Sequence, residues 1–78
     1  MKRFFVVFET RQQGAIGEFS HSGEMVTMHQ SSFSEVEVMR QAMYQLHAKG
    51  LETRFPVRVS ELSLSDLILH EALNEVTL

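Results

Sequence analysis

The sequence predicts an α+β fold: one small domain, elements in the order β-β-β-α-β-α, and an antiparallel or mixed sheet with its helices on one face. Three observations carry this expectation. An aromatic and β-branched run near the start is apolar on both faces. Two later segments repeat apolar residues at helical spacing behind serine caps, and a proline-containing stretch between them alternates with a period of two. The 78 residues are 44% hydrophobic, with six Phe and no Cys, so the chain has the apolar surface of a folded domain and no means of making a disulfide. No linker, low-complexity tract or internal repeat divides it, and residues 1–78 read as one domain.

The first strand covers residues 3–10. Phe4, Val6 and Phe8 point one way, Phe5 and Val7 the other, and a strand apolar on both sides belongs at the centre of a sheet. Its three Phe residues are core packing in this reading, not a stacking platform for bases. Arg11, Gln12, Gln13 and Gly14 break the pattern as a turn, and residues 15–21 resume as a weaker strand interrupted at Gly17. Ser22 and Gly23 read as a second turn before a strand over residues 24–29, because glycine accepts positive φ without a Cβ clash. That placement sets His21 opposite Glu24 and Phe19 opposite Val26, in a three-stranded antiparallel meander.

A helix over residues 34–49 follows. Ser34 and Glu37 have the spacing of a capping box, and Phe33 and Val38 that of a hydrophobic staple. Val36, Met39, Ala42, Met43 and Leu46 form one apolar stripe, and Gly50 followed by Leu51 marks a left-handed C-terminal cap. His47 and Lys49 lie where cations favour the helix dipole. Beyond the cap, Phe55, Val57 and Val59 alternate with Arg54, Pro56 and Arg58. This predicts a strand with one buried and one basic face, at a sheet edge because Pro56 has no N–H to give to a ladder. Leu62, Ser63, Asp66 and Leu67 repeat the cap-and-staple pattern, which predicts a second helix over about residues 64–73. Its apolar positions cover more of the circumference than one sheet can bury.

Charge is uneven along the chain. The net charge is −3, yet residues 59–78 hold four acids and no Lys or Arg. The chain therefore lacks the basic excess that neutralises phosphates, which disfavours general nucleic-acid binding. The apolar run at residues 4–8 is too short for a secretory signal or a membrane span, and the absence of Cys fits a reducing compartment, so a cytoplasmic location is expected, away from membranes.

No stretch carries a diagnostic chemical motif. His21, His29, His47 and His70 make no metal-binding spacing: His70 and Glu71 begin a zinc-protease helix motif, but Asn74 stands where the second His is required. No serine occupies a nucleophile elbow. Glu35 and Glu37 are two apart on a helix and do not face each other. The Gly14-Ala15-Ile16-Gly17 stretch leads into a strand, so it aims no helix N-terminus at a phosphate. No metal and no cofactor are expected.

These bounds suit a non-catalytic protein-binding module, such as an accessory or inhibitor protein of a mobile element that occludes a partner surface. A domain this short buries only about 60–65% of its unfolded surface, so a homodimer is the expected supplement to its core. The leading candidate surface is the acidic helix, with Asp66, His70, Glu71 and Glu75 facing a partner protein of basic surface. Two rivals stand beside it. One is a nucleic-acid-binding regulator using the basic strand face of Arg54 and Arg58, joined by Lys2, Arg3 or Arg11 if the fold brings them near. The other is a small metal-dependent or acid–base enzyme built from the histidines with Glu18, Glu24 or Glu71.

Overall fold

A strand that is apolar on both faces needs neighbours on both edges, and the chain supplies them. In the computed structural model, which describes residues 1–63 and Ser65, β1 (Lys2–Gln12) is the middle strand of a three-stranded sheet. On one side it pairs antiparallel with β2 (Ser20–Met28), on the other with β3 (Leu51–Leu62). Between the two outer strands in sequence lies α1 (Glu35–Ala48), which carries the chain from one edge of the sheet to the other. The outer strands are consequently parallel to each other, with β1 between them. The fold is α+β in the order β-β-α-β over the described residues, not the predicted β-β-β-α-β-α. The second helix expected over about residues 64–73 lies outside the described residues.

The missing strand has a physical explanation. Residues 20–28 form one unbroken strand through Ser22 and Gly23, and the connection to β1 is the loop of residues 13–19. His21 therefore sits opposite Glu9, and Glu24 opposite Val6, instead of facing each other; Val26 lies opposite Phe4, not Phe19. Gly23 is opposite Val7, and its φ is not positive. Glycine is needed there for another reason: a Cβ would run into the Phe5 ring, lying within 2.6 Å of Cε2. The ring covers the glycine across the strand pair, a contact that only a missing side chain permits.

The helix is placed by its ends, as the sequence predicts. Ser34 has extended backbone angles (φ −101°, ψ 162°), and its hydroxyl accepts from the Glu37 amide at 3.3 Å. At the other end Gly50 adopts φ 82°, and its amide donates to the His47 carbonyl at 3.0 Å. The Gly50 carbonyl then accepts from the Gln13 amide at 3.0 Å, which ties the β1–β2 loop to the end of the helix. The buried stripe is Val38, Ala42 and Leu46, flanked by the partly buried Met39 and Met43. Val36, predicted in that stripe, is 54% exposed, because two residues along a helix is a rotation of about 200° and Val38 already faces the sheet.

The core lies between α1 and one face of the sheet, built from Val6, Phe8, Val26, Met28 and the three helix residues. Phe4 and Phe33 close its end, their rings edge to face at 5.6 Å. Two polar residues share this face. The Thr10 hydroxyl donates to Ser22 Oγ at 2.7 Å. The Glu24 side chain, only 10% exposed, accepts from Lys49 Nζ at 2.8 and 3.1 Å and from Gln45 Nε2 at 2.9 Å. Gln45 also donates to the Met25 carbonyl at 2.8 Å. One buried carboxylate thus fastens the edge strand β2 to the last turns of the helix. Among the described residues, no helix is long and apolar enough to cross a membrane.

Four stability outcomes are expected from urea unfolding. Gly23→Ala should cost about 1–3 kcal/mol through overpacking. In a Phe5→Leu background the same change should cost clearly less; strictly additive losses would mean that the ring is not what excludes the Cβ. Ser34→Ala should lose about 0.5–2 kcal/mol. Gly50→Val should lose more than Gly50→Asn, since a β-branched residue resists positive φ. Finally, Lys49→Met should cost about 1–2 kcal/mol, the ammonium being largely in solvent while its carboxylate is not. The Glu24→Leu, Lys49→Met pair should lose less than the sum of its parts; no coupling in that cycle would remove the fastening role.

Candidate interaction surface

On the sheet face away from α1, β1 presents Glu9 and Arg11, the residues on either side of the buried Thr10. The β1–β2 loop delivers Phe19 to this side, and two guanidinium groups stack on its ring. The Arg11 and Arg54 guanidinium carbons lie 4.3 and 4.1 Å from the ring centroid. Each cation is also held by a carboxylate: Arg11 by Glu52, and Arg54 by Glu9 at 3.2 and 3.4 Å. Arg11 donates further to the Gly17 carbonyl at 2.8 Å. A line of ion pair, ring and ion pair therefore crosses from β3 through the loop to β1. Exposed cation–π contacts contribute about 0.5–1 kcal/mol each. Their sum here fixes the loop against the sheet.

The edge strand β3 departs from the predicted alternation. Arg58 lies opposite Val7 and Pro56 opposite Phe8, which leaves Val57 with no partner on β1. From Pro56 to Thr53 the strand advances three residues while β1 advances two, from Phe8 to Thr10. These are two successive bulges, and each breaks the two-residue period that the sequence reading relied on. Only Val59 of the expected buried face packs against the core. Phe55 is 66% and Val57 49% exposed, with Pro56 exposed between them. The predicted strand with one buried apolar face is thus an edge strand with an apolar protrusion at its middle.

The two arginines proposed as one basic face are in different states. Arg54 is stacked on Phe19, lies 5.6 Å from the Phe55 ring centroid and is paired with Glu9. Arg58 is exposed and has no ion pair among the described residues. Arg11 joins this region as the sequence suggested it could, although it is already neutralised by Glu52. Lys2 pairs instead with Glu61 at 3.3 Å. The acidic candidates Asp66, His70, Glu71 and Glu75 lie outside the described residues.

The histidines and glutamates of the enzyme reading are dispersed. His21 is exposed on the edge strand β2, and His29 is exposed just after that strand. His47 is in the last turn of α1, with Nε2 3.1 Å from Thr53 Oγ1, beside a cleft of about 250 Å³ lined also by Gln13, Leu51 and Glu52. Glu18 is exposed in the loop, and Glu24 is already engaged by Lys49 and Gln45. Among the described residues, no three His, Cys, Asp or Glu side chains are grouped to hold a metal ion.

Sequence reasoning missed the surface contribution of Phe19, Phe55 and Val57. The signal for Phe19 was slight: an aromatic residue beside a glycine-containing loop, with the arginines that stack on it, Arg11 and Arg54, distant in sequence. Compared with protein-family models, with curated proteins and with solved structures, the chain matches none of them.

Proposed function

We propose that this chain is a non-catalytic, cytoplasmic protein-binding module, an accessory or inhibitor protein of the kind mobile elements carry. It acts by occluding a surface of its partner, and its contact is the middle of β3: Phe55, Pro56 and Val57, with Arg58 beside them. The observation that carries this reading is the run of three consecutive exposed apolar residues on a doubly bulged edge. Such a run opposes solubility and is an error in a folded chain unless it is used. The bulges and Pro56 disrupt the backbone pattern that another strand would need for pairing, so contact is made through side chains. An aromatic residue next to an arginine is also the composition that dominates binding energy at protein interfaces.

Nucleic-acid binding is less well supported by the same surface. Arg11 and Arg54 are each neutralised by a carboxylate, which leaves Arg58 as the cation of this patch without an ion pair among the described residues. The expected acidic surface of Asp66, His70, Glu71 and Glu75 is the competing location for the contact. Affinity capture from native host lysate separates the two. Phe55→Ala with Arg58→Glu should lose a partner that the wild-type chain retains, whereas Glu71→Lys with Glu75→Lys should still capture it. The opposite result would move the function to the acidic residues, and retention by both variants would place it on neither.

A further inference from the structure

The β3 patch has a stated chemistry, an apolar triplet flanked by a cation without an ion pair among the described residues, and its complement is an acidic, leucine-rich segment. The chain itself holds one. Residues 64–78 contain Asp66, Glu71 and Glu75, five Leu and one Ile, and no Lys or Arg. Phe55 and Val57 are 66% and 49% exposed, so the patch is open to an occupant, and a domain this short gains core by association with a second copy. We infer that the partner of this patch in the isolated protein is residues 64–78 of a second copy, exchanged reciprocally. The product is a closed two-fold homodimer with two identical junctions between Arg58 with Phe55 and Val57 on one copy and the acidic segment on the other. This rests on reading the β3 patch as a binding surface, and it adds the chemistry recognised there: carboxylates beside leucines.

The reciprocal geometry gives a test that intramolecular packing cannot imitate. In Arg58→Glu both junctions of the dimer bring like charges together, and the same holds in Glu71→Lys with Glu75→Lys. A mixture of the two full-length variants forms a heterodimer in which glutamate meets lysine at one junction and arginine meets glutamate at the other. In sedimentation equilibrium the wild-type chain should be a dimer at micromolar concentration. Each variant alone should dissociate at least about tenfold more readily, and the equimolar mixture should recover the dimer. Unchanged circular dichroism, with urea midpoints equal to that of the wild type at a concentration low enough to dissociate it, establishes that the loss is one of association, since a dimer is itself stabilised by mass action.

A wild-type chain that stays monomeric across that range overturns the inference, as does a mixture that fails to recover association. These failures are distinguishable from failure of the binding-surface reading. If Phe55→Ala with Val57→Ala dissociates the dimer while the acidic reversal does not, the patch is an interface and the assigned occupant is wrong. If the wild-type chain is monomeric and lysate capture still depends on Phe55 and Arg58, the dimer is wrong and the patch stands. If neither association nor capture responds to Phe55, both are wrong.

Discussion

Val6, Phe8 and Thr10 of β1 are each at most 2% exposed, and burying them takes three elements that are distant in sequence. Strand pairing on both edges satisfies the β1 backbone, while α1 covers the side chains on one face. An antiparallel neighbour on each edge makes the outer strands parallel, and a parallel pair cannot be joined by a hairpin. The helix therefore serves two needs at once: it is the crossover between β2 and β3 and the second layer of the core. A stiff, well-capped helix is what this arrangement requires. Its start is set by Ser34 and its end by Gly50, and the Gly50 carbonyl is in turn held by Gln13 at the start of the loop after β1. Glu24 supplies the lateral fastening, because an edge strand bonded along one side only has few other restraints.

What was legible in the sequence follows from whether a signal has one physical cause or several. The central position of β1 was readable because a strand apolar on both faces belongs between two neighbours, but the double coverage that this pattern implied is not met among the described residues, where α1 covers one face only. The helix boundaries were readable because the serine cap and the left-handed glycine each correspond to a single backbone geometry. Gly23 was not readable, since glycine marks positive φ and close approach of a ring alike, and the ring in question belongs to Phe5, 18 positions away. The bulges in β3 were hidden for a different reason. A bulge is a difference in residue count between two paired strands, and a single strand's sequence does not contain it. Phe55 and Val57 therefore looked like core from their spacing and lie outside it. Val36 was misassigned by a smaller margin, two apolar positions on opposite sides of one helix competing for the same face.

The face of the sheet opposite α1 shows how a thin domain manages exposed apolar surface. Phe5 lies over Gly23, and Phe19 is covered by two guanidinium groups whose charges are neutralised by Glu9 and Glu52. Planar guanidinium groups suit this role because they are weakly hydrated and stack on aromatic faces while still forking toward carboxylates. Individually these exposed ion pairs contribute little, about 0–1 kcal/mol. Joined through one ring, they immobilise a loop that would otherwise be held mainly by the Gln13–Gly50 hydrogen bond and the Arg11–Gly17 contact. The same network explains why the basic face expected from sequence is largely spent: cations that look available in a linear chain are consumed by acids that the sheet register brings opposite them.

Phe55, Pro56 and Val57 stand outside this economy. The devices that surround them, two bulges and a proline, protect an edge from the backbone pairing that leads to aggregation. A soluble protein needs nothing more from an edge, and polar side chains would complete the protection. Here the protection is applied to the backbone while the side chains are left apolar, which separates two properties that usually vary together. An edge built this way resists indiscriminate strand addition and leaves an apolar surface open, with the Arg58 cation beside it. Under the proposed binding reading, selectivity at this edge would follow from side-chain shape and charge, because the backbone is a poor template.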